Sequence, residues 1–243
     1  MSTNIPKIVH YCWFGKSEKT KKIKKCINTW KKILYDYEFI EWNESNFDIN
    51  YNLYVKQSYE LKKYAFVSDV ARILALKKYG GIYLDTDVKV VKKFDDLLDS
   101  KCIFGFEERN RVATSFMAAE PNHPVFQEFL AYYDNLRFIM DDGNMDLTPN
   151  VNKLGRILED KGLNFNGEFQ KLDDGVIVYP KEYFSPYDYI NCINESNINK
   201  YCIHLFFVTW MPVQIRIKKT LKKIIVKLIG KRNMESLRKK YND

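Results

Sequence analysis

No two cysteines in this chain are spaced Cys-x-x-Cys. The five that occur, Cys12, Cys26, Cys102, Cys192 and Cys202, are odd in number and far apart. That pattern excludes a zinc ribbon and a small disulfide framework, and it reads as reduced cysteines in an intracellular setting. No apolar run approaches the ~20 residues needed to span a bilayer. The stretch Met1 to Pro6 lacks a basic segment followed by an apolar one, so no signal peptide is expected. Zinc-finger, RNP and helix-turn-helix signatures are also missing.

Negative charge is scarce in one region only. The chain carries +8 at pH 7, from 39 Lys/Arg and 31 Asp/Glu. Residues 213–243 hold 11 Lys/Arg and 2 acids, which leaves the preceding part at −1. The basic pI is therefore a property of the tail. Nucleic-acid binding wants a basic groove on the folded body, so no nucleic-acid partner is expected. In the tail, Leu221, Ile224, Ile225 and Leu228 line one helical stripe among lysines. A basic amphipathic helix of this kind reads as an anchor on an anionic membrane surface. A helix packed on the domain, with its lysines solvated, is the plainer alternative.

Apolar residues are plentiful, at 46% hydrophobic and 15% aromatic over 243 residues. That supplies the core of one large domain, or at most two small ones. The chain is organised around residues 64–88. Val67, Val70, Ala71 and Leu74 recur at helical spacing. Lys77 and Lys78 suit a helix C-terminus, and Gly80 suits the residue that stops it. Ile82-Tyr83-Leu84 then reads as a short buried strand.

Two acids follow. Asp85 and Asp87 flank one residue at the end of that strand, and alternation in extended backbone would aim both the same way. Paired carboxylates of this kind suit Mg2+ or Mn2+ bound together with substrate phosphates. A turn bearing two solvated aspartates is the bland alternative. Binding sites of α/β sheets lie outside the carboxyl ends of the strands, which favours the functional reading. Asp69 and Arg72 share a helix face, with Ser68 on roughly the same side. They read either as a surface ion pair of small value or as a polar corner beside the metal. The second reading expects their removal to harm turnover far more than stability.

The run Ser68-Asp69-x-x-Arg72 followed by Gly80-Gly81-Ile82-Tyr83-Leu84-Asp85-x-Asp87 resembles the DXD-containing sugar transferases of glycosyltransferase family 32. That group includes polysaccharide transferases and yeast-type mannosyltransferases, and its elements recur in the glucosylating domains of large clostridial toxins. The likeness extends to residues 5–15, to Glu41-Trp42-Asn43-Glu44, to Tyr179-Pro180-Lys181-Glu182-Tyr183-Phe184, and on to about Trp210. It implies a GT-A-like α/β fold with a mostly parallel central sheet over residues 1–212, followed by the helical tail. It implies a metal-dependent, retaining transfer of a hexose from a nucleotide-diphosphate sugar to a glycan or lipid-linked saccharide acceptor. Asp69 and Arg72 would hold the sugar, and Asp85 and Asp87 the metal. Trp13 would stack on the base, with Cys12, Ser68 and Tyr83 nearby. Family members often carry a His-His pair before a hydroxyl residue and Trp. Here the second position is Leu205 and the hydroxyl is Thr209; the resemblance implies that His204 approaches the metal or diphosphate, and a hydrogen-bonded core histidine is the alternative.

Leu84 to Val88 also resembles the first motif of haloacid-dehalogenase-type phosphatases, in which Asp85 would be the nucleophile. That motif normally lies on the first strand, whereas two strand candidates, Lys7 to Trp13 and Tyr37 to Trp42, precede it here. A non-catalytic protein held at a membrane by its tail is a third reading. Further along, a strand is expected at Cys102–Glu107 and an extended segment at Val112–Ala119. Helices are expected over Thr20–Leu34, from His123-Pro124 to about Leu136 and over Val151–Leu158, and a late strand at Val176–Tyr179.

Overall fold

A computed structural model of the chain describes residues 4–188, 193–194, 199–207 and the single positions 214, 217, 218 and 221. Most of the tail, with the expected amphipathic helix, lies outside the described residues, as do Cys192, Thr209 and Trp210. The elements run β1 (Ile8–Cys12), α1 (Lys21–Ile33), β2 (Glu38–Trp42), α2 (Leu53–Glu60), α3 (Tyr64–Tyr79), β3 (Gly81–Leu84), β4 (Val88–Val90), β5 (Cys102–Glu108), β6 (Arg111–Val112) and β7 (Phe116–Ala119). They continue with α4 (Pro124–Asp134), α5 (Asn150–Asp160), β8 (Gln170–Lys171), β9 (Val176–Tyr179), α6 (Lys181–Phe184), β10 (Tyr187–Asp188), β11 (Ile193–Asn194) and β12 (Cys202–His204).

The main sheet has the order β2-β1-β3-β7-β5-β9-β8, with β6 on β5. Strands β2, β1, β3, β5 and β9 run one way, and β7 and β8 run the other. Each face carries its own apolar cluster. On one side α3 and α4 cover His10, Cys12 and Tyr83, together with Cys102, Phe104 and Phe106. On the other side α1 and α6 cover Val9, Tyr11, Ile82, Leu84 and Ile103. The alternation along β1 and β3 is what sorts these residues to opposite faces.

Helix α1 shows why burial outweighs propensity here. Its buried stripe is Ile23, Cys26, Ile27 and Trp30, and the hydroxyl of Thr20 caps its start on the N–H of Ile23. A fully buried apolar side chain is worth ~1.5–3 kcal/mol, against well under ~1 kcal/mol for propensity differences between ordinary residues. Trp30 also donates its indole N–H to the carbonyl of Val88, 2.7 Å away, and so ties α1 to β4.

The α3–β3 connection needs both glycines. Gly80 and Gly81 have φ of 62° and 92°, and a Cβ on Gly81 would lie 2.6 Å from the carbonyl oxygen of Ile8. Beside them, Trp42 donates to Nδ1 of the fully buried His10, which leaves Nε2–H to donate to the carbonyl of Gly80 at 2.8 Å. Burial lowers the His10 pKa to about 4. The unfolded chain therefore takes up a proton at this residue from about pH 6.5 downward, while the folded chain resists until about pH 4. Stability from this group is present above that window and is lost as pH falls through it, by about 3 kcal/mol in full. Urea unfolding at pH 7 and pH 4.5 should show this loss in the native chain. It should be reduced in His10→Gln, whose amide can serve the same two partners. An equal loss in both would show that His10 is not the source.

Two expectations need correction. The stretch Val112–Ala119 is split into β6 and β7, and the residues between them leave the ladder, with the carbonyl of Thr114 accepting from Arg72 of α3. Helix α2 was not expected. Asn52 caps it by accepting from the N–H of Val55 at 2.9 Å, but only Tyr54, Val55 and Ser58 of its eight residues are buried. So short a helix writes little periodicity into the sequence.

Candidate active site

Strand β3 delivers the carboxylates to the edge of the sheet, though not by strand alternation. The strand stops at Leu84, and Asp85 to Asp87 form a turn closed by the N–H of Val88 on the carbonyl of Asp85, 2.9 Å away. The turn exists because the chain is leaving the main sheet here: β4 pairs with β12, Val88 opposite His204. Antiparallel pairing therefore brings His204 to the turn. Ligand atoms of Asp85, Asp87 and His204 all lie within 4.8 Å of one another. His204 Nε2 is 3.3 Å from Asp87 Oδ1, and the N–H of Phe207 donates to Asp87 Oδ2 at 2.7 Å. Burial works against both charges in this pair. Their mutual attraction prevails, holding Asp87 below the usual carboxylate range and His204 above the usual histidine range. The His204 Nδ1 atom is buried and has no hydrogen-bond partner among the described residues. Two carboxylates and an imidazole fit a divalent cation of the Mn2+ or Mg2+ class.

Behind this corner lies a buried chain of charge centred on Arg72. Its guanidinium sits 3.1 Å from Asp69 Oδ1 and 3.2 Å from Asp85 Oδ1. It also donates to the carbonyls of Ser68 and Thr114 and lies 4.6 Å over the ring of Tyr83. The Arg72 and Asp69 side chains are only 7% and 12% exposed, so the surface-pair alternative is overturned. The helical spacing was correct, but Tyr83 of β3, the carbonyl of Thr114 and Asn150 of α5 lie against this face. Burial raises the Asp69 carboxyl to about 7, even with Arg72 pulling it down. Burial also opposes the charge on Arg72, but Asp85, Tyr83 and Asp69 outweigh it and hold the guanidinium fully protonated.

The other expected site residues divide between this chain and an open groove. The hydroxyl of Tyr83 donates to Asp85 Oδ1 at 2.9 Å. Ser68 turns its hydroxyl back to the carbonyl of Tyr64 in its own helix. The Cys12 thiol is buried among Arg72, Tyr83 and Ser68, and burial pushes it up to about 12. Trp13 is half-buried on the rim of a groove of about 320 Å³, lined also by Lys16, Lys19, Glu41, Asn43 and Glu44. Its indole N–H donates to the carbonyl of Ser17, which fixes the plane of the ring, and Lys19 stands 5.4 Å over it.

Two residues were missed. Asn150, the first residue of α5, donates to Asp69 Oδ1 at 2.7 Å and accepts from the hydroxyl of Thr114 at 2.8 Å. The Thr148-Pro149-Asn150 helix start was visible in the sequence, but nothing local ties it to Asp69. Glu107, near the end of β5, is a carboxylate only 8% exposed, and burial raises its pKa. Strand periodicity gave no sign of it.

The structure is thus a mixed α/β sheet with a carboxylate corner at the carboxyl edge of β3. Residues 20–104 match the family described as "Glycosyltransferase sugar-binding region containing DXD motif". An uncharacterized glycosyltransferase, L373, of Acanthamoeba polyphaga mimivirus is 27% identical over 229 residues, covering 86% of this chain and 84% of the relative. Inositol phosphoceramide mannosyltransferase 3 of Schizosaccharomyces pombe is 30% identical over 131 residues, covering 51% of this chain and 35% of the relative. The chain thus spans about a third of that curated relative's length. A solved glycosyltransferase involved in glycosylation of the major capsid of PBCV-1 overlaps 87% of this chain and 96% of its own, at 10% identity and a TM-score of 0.48. Over residues 20–104 the chain is thus similar to sugar transferases that carry a DXD motif.

Proposed function

We propose that the protein transfers a hexose from a nucleotide-diphosphate sugar, UDP-linked in the first instance, to a glycan or lipid-linked saccharide in surface polysaccharide synthesis. The observation that carries this reading is the convergence of Asp85, Asp87 and His204 beside the buried Asp69–Arg72–Asp85 chain. Asp85, Asp87 and His204 would hold Mn2+ or Mg2+, which when bound supplies charge neutralisation to the leaving diphosphate. Arg72 holds Asp69 and Asp85 at fixed spacing, so the carboxylates need not reorganise when donor arrives. Asp69 accepts hydrogen bonds from sugar hydroxyls, Asn150 steadies it, and the Trp13 ring receives the base. The resemblance also supports retention of anomeric configuration. The name of the fungal relative supports a hexose donor and an acceptor carried on a lipid.

Residues 1–212 would form the transferase domain and residues 213–243 a basic anchor, placing the enzyme at the cytoplasmic face of the cell membrane. The tail's composition supports this. Vesicle sedimentation tests it: the full chain should bind anionic vesicles at low salt and release at high salt. A chain truncated after Pro212 should not bind. Equal binding by the truncated chain would remove the tail from this role.

The transferase reading is tested by incubating the full chain with Mn2+ and a panel of nucleotide sugars, with assay of the nucleoside diphosphate released. One donor should turn over far faster than the rest. A phosphoaspartate formed at Asp85 with phosphate esters, and no diphosphate release from any nucleotide sugar, would favour the phosphatase instead. Trp13→Ala should weaken nucleotide binding by about 1–3 kcal/mol, the range for one base–aromatic stack, with part recovered in Trp13→Phe. Unchanged affinity in folded Trp13→Ala would return this ring to a structural role.

A further inference from the structure

Glu107 is a buried carboxylate that neither the metal corner nor the Arg72 chain uses. Cys102, Phe104 and Phe106 face one apolar cluster, while Ile103 faces the other. Gly105 lies against the Phe184 ring, where an added Cβ would come within 2.5 Å. Glu107 follows near the end of this strand, which α6 covers, and the charges of His204 and Asp85 act on its carboxylate. The β5–β6 register shifts between Phe106 and Glu108, so Glu107 occupies a β-bulge. Bulges re-aim side chains and gather beside active sites.

The surroundings leave this carboxylate under-supplied. Its charge acts on His204, Arg111, Glu108 and Asp85. Among the described residues its one close partner is Arg111, 3.8 Å away and 52% exposed, which is beyond hydrogen-bond distance. Buried polar groups nearly always have hydrogen-bond partners, and an ionised carboxylate has room for several. A group aimed at the site with its acceptor positions open is built to receive donors from a ligand. The donor-side roles already belong to Asp69, Arg72 and the metal corner.

We infer that Glu107 holds the incoming hydroxyl of the saccharide acceptor by accepting a hydrogen bond from it, beside the carboxylate corner. This rests on the transferase reading and adds the acceptor's place to it. A carboxylate there selects a neutral, polyhydroxylated acceptor end and disfavours an anionic one.

The test uses the full chain with Mn2+, the donor selected from the panel, and methyl glycosides of glucose, mannose and galactose as acceptor probes. Donor hydrolysis, in which water takes the acceptor's place, is measured alongside. Glu107→Gln keeps the shape and removes the charge. It should slow hydrolysis and transfer roughly tenfold or more, the loss expected for a hydrogen bond to a charged group, and raise the KM of any accepted glycoside. Its affinity for UDP with Mn2+, measured by calorimetry, should stay close to that of the native chain. Glu107→Asp should recover part of the rate, and the neighbouring Glu108→Gln should match the native chain. Native rates in Glu107→Gln would overturn the inference. So would a loss of Mn2+–UDP affinity in step with the rate, which would make Glu107 a support of the metal corner. Failure of the native chain to bind any nucleotide with Mn2+ would overturn the transferase reading, and this inference with it.

Discussion

Replacing Asp87 by Asn should abolish sugar transfer while leaving the chain folded. Asp87 supplies a charged oxygen to the corner with Asp85 and His204, and an amide cannot replace that charge on a hard cation. The substituted amide would still present an oxygen to the N–H of Phe207, the contact that fixes the turn. The loss should therefore appear in turnover, by about a hundred- to a thousandfold, the scale reached when one essential stabilising group is removed from a site. The circular dichroism spectrum should be retained. Asp85→Asn should be nearly as severe, with an added loss of stability because Asp85 also pairs with Arg72. Activity that survives both chelation and Asp87→Asn would show that the reaction does not run through this corner.

Arg72→Ala should have the largest effect on stability. The guanidinium is nearly inaccessible and serves Asp69, Asp85 and the carbonyls of Ser68 and Thr114 at once. Its removal takes the positive charge and these hydrogen bonds from two carboxylates and two carbonyls, leaving Asp69 only Asn150 and Asp85 only Tyr83 as side-chain donors among the described residues. Breaking a buried pair from one side costs about 3–5 kcal/mol. Asp69, whose carboxyl burial already raises to about 7, would lose its main counter-charge and become neutral at physiological pH. Turnover should fall as well. The sequence leads to the expectation that turnover falls far more than stability; for a pair this deeply buried a large stability loss is expected as well. Arg72→Lys should rescue little, because an ammonium cannot span both carboxylates and the carbonyls with fixed geometry. Denaturant unfolding decides the matter: a loss below ~1 kcal/mol would return Arg72 to the class of surface pairs.

The helix–glycine–strand–acid sequence of α3 and β3 was legible because each part is written locally. It has an apolar stripe, terminal lysines, two glycines at positive φ and a short buried run. Trp13 and His204 were singled out through resemblance; the structure places His204 opposite Val88 and Trp13 on the rim of the groove. The turn at Asp85–Asp87 was misread as extended because it is imposed by β4 leaving to pair with β12, a partner more than a hundred residues away. Asn150 reaches Asp69 across a similar distance, so no spacing rule connects them. Glu107 was hidden by its bulge, which breaks the alternation on which strand reading depends. The candidate residues that sequence analysis missed are those brought in by tertiary packing alone.

Calorimetric titration of the full chain with UDP, once with Mn2+ and once with EDTA, tests the proposed metal corner most directly. The geometry of Asp85, Asp87 and His204 predicts binding that requires Mn2+, vanishes with EDTA and is lost in folded Asp87→Asn. Equally strong UDP binding in the presence of EDTA would contradict it.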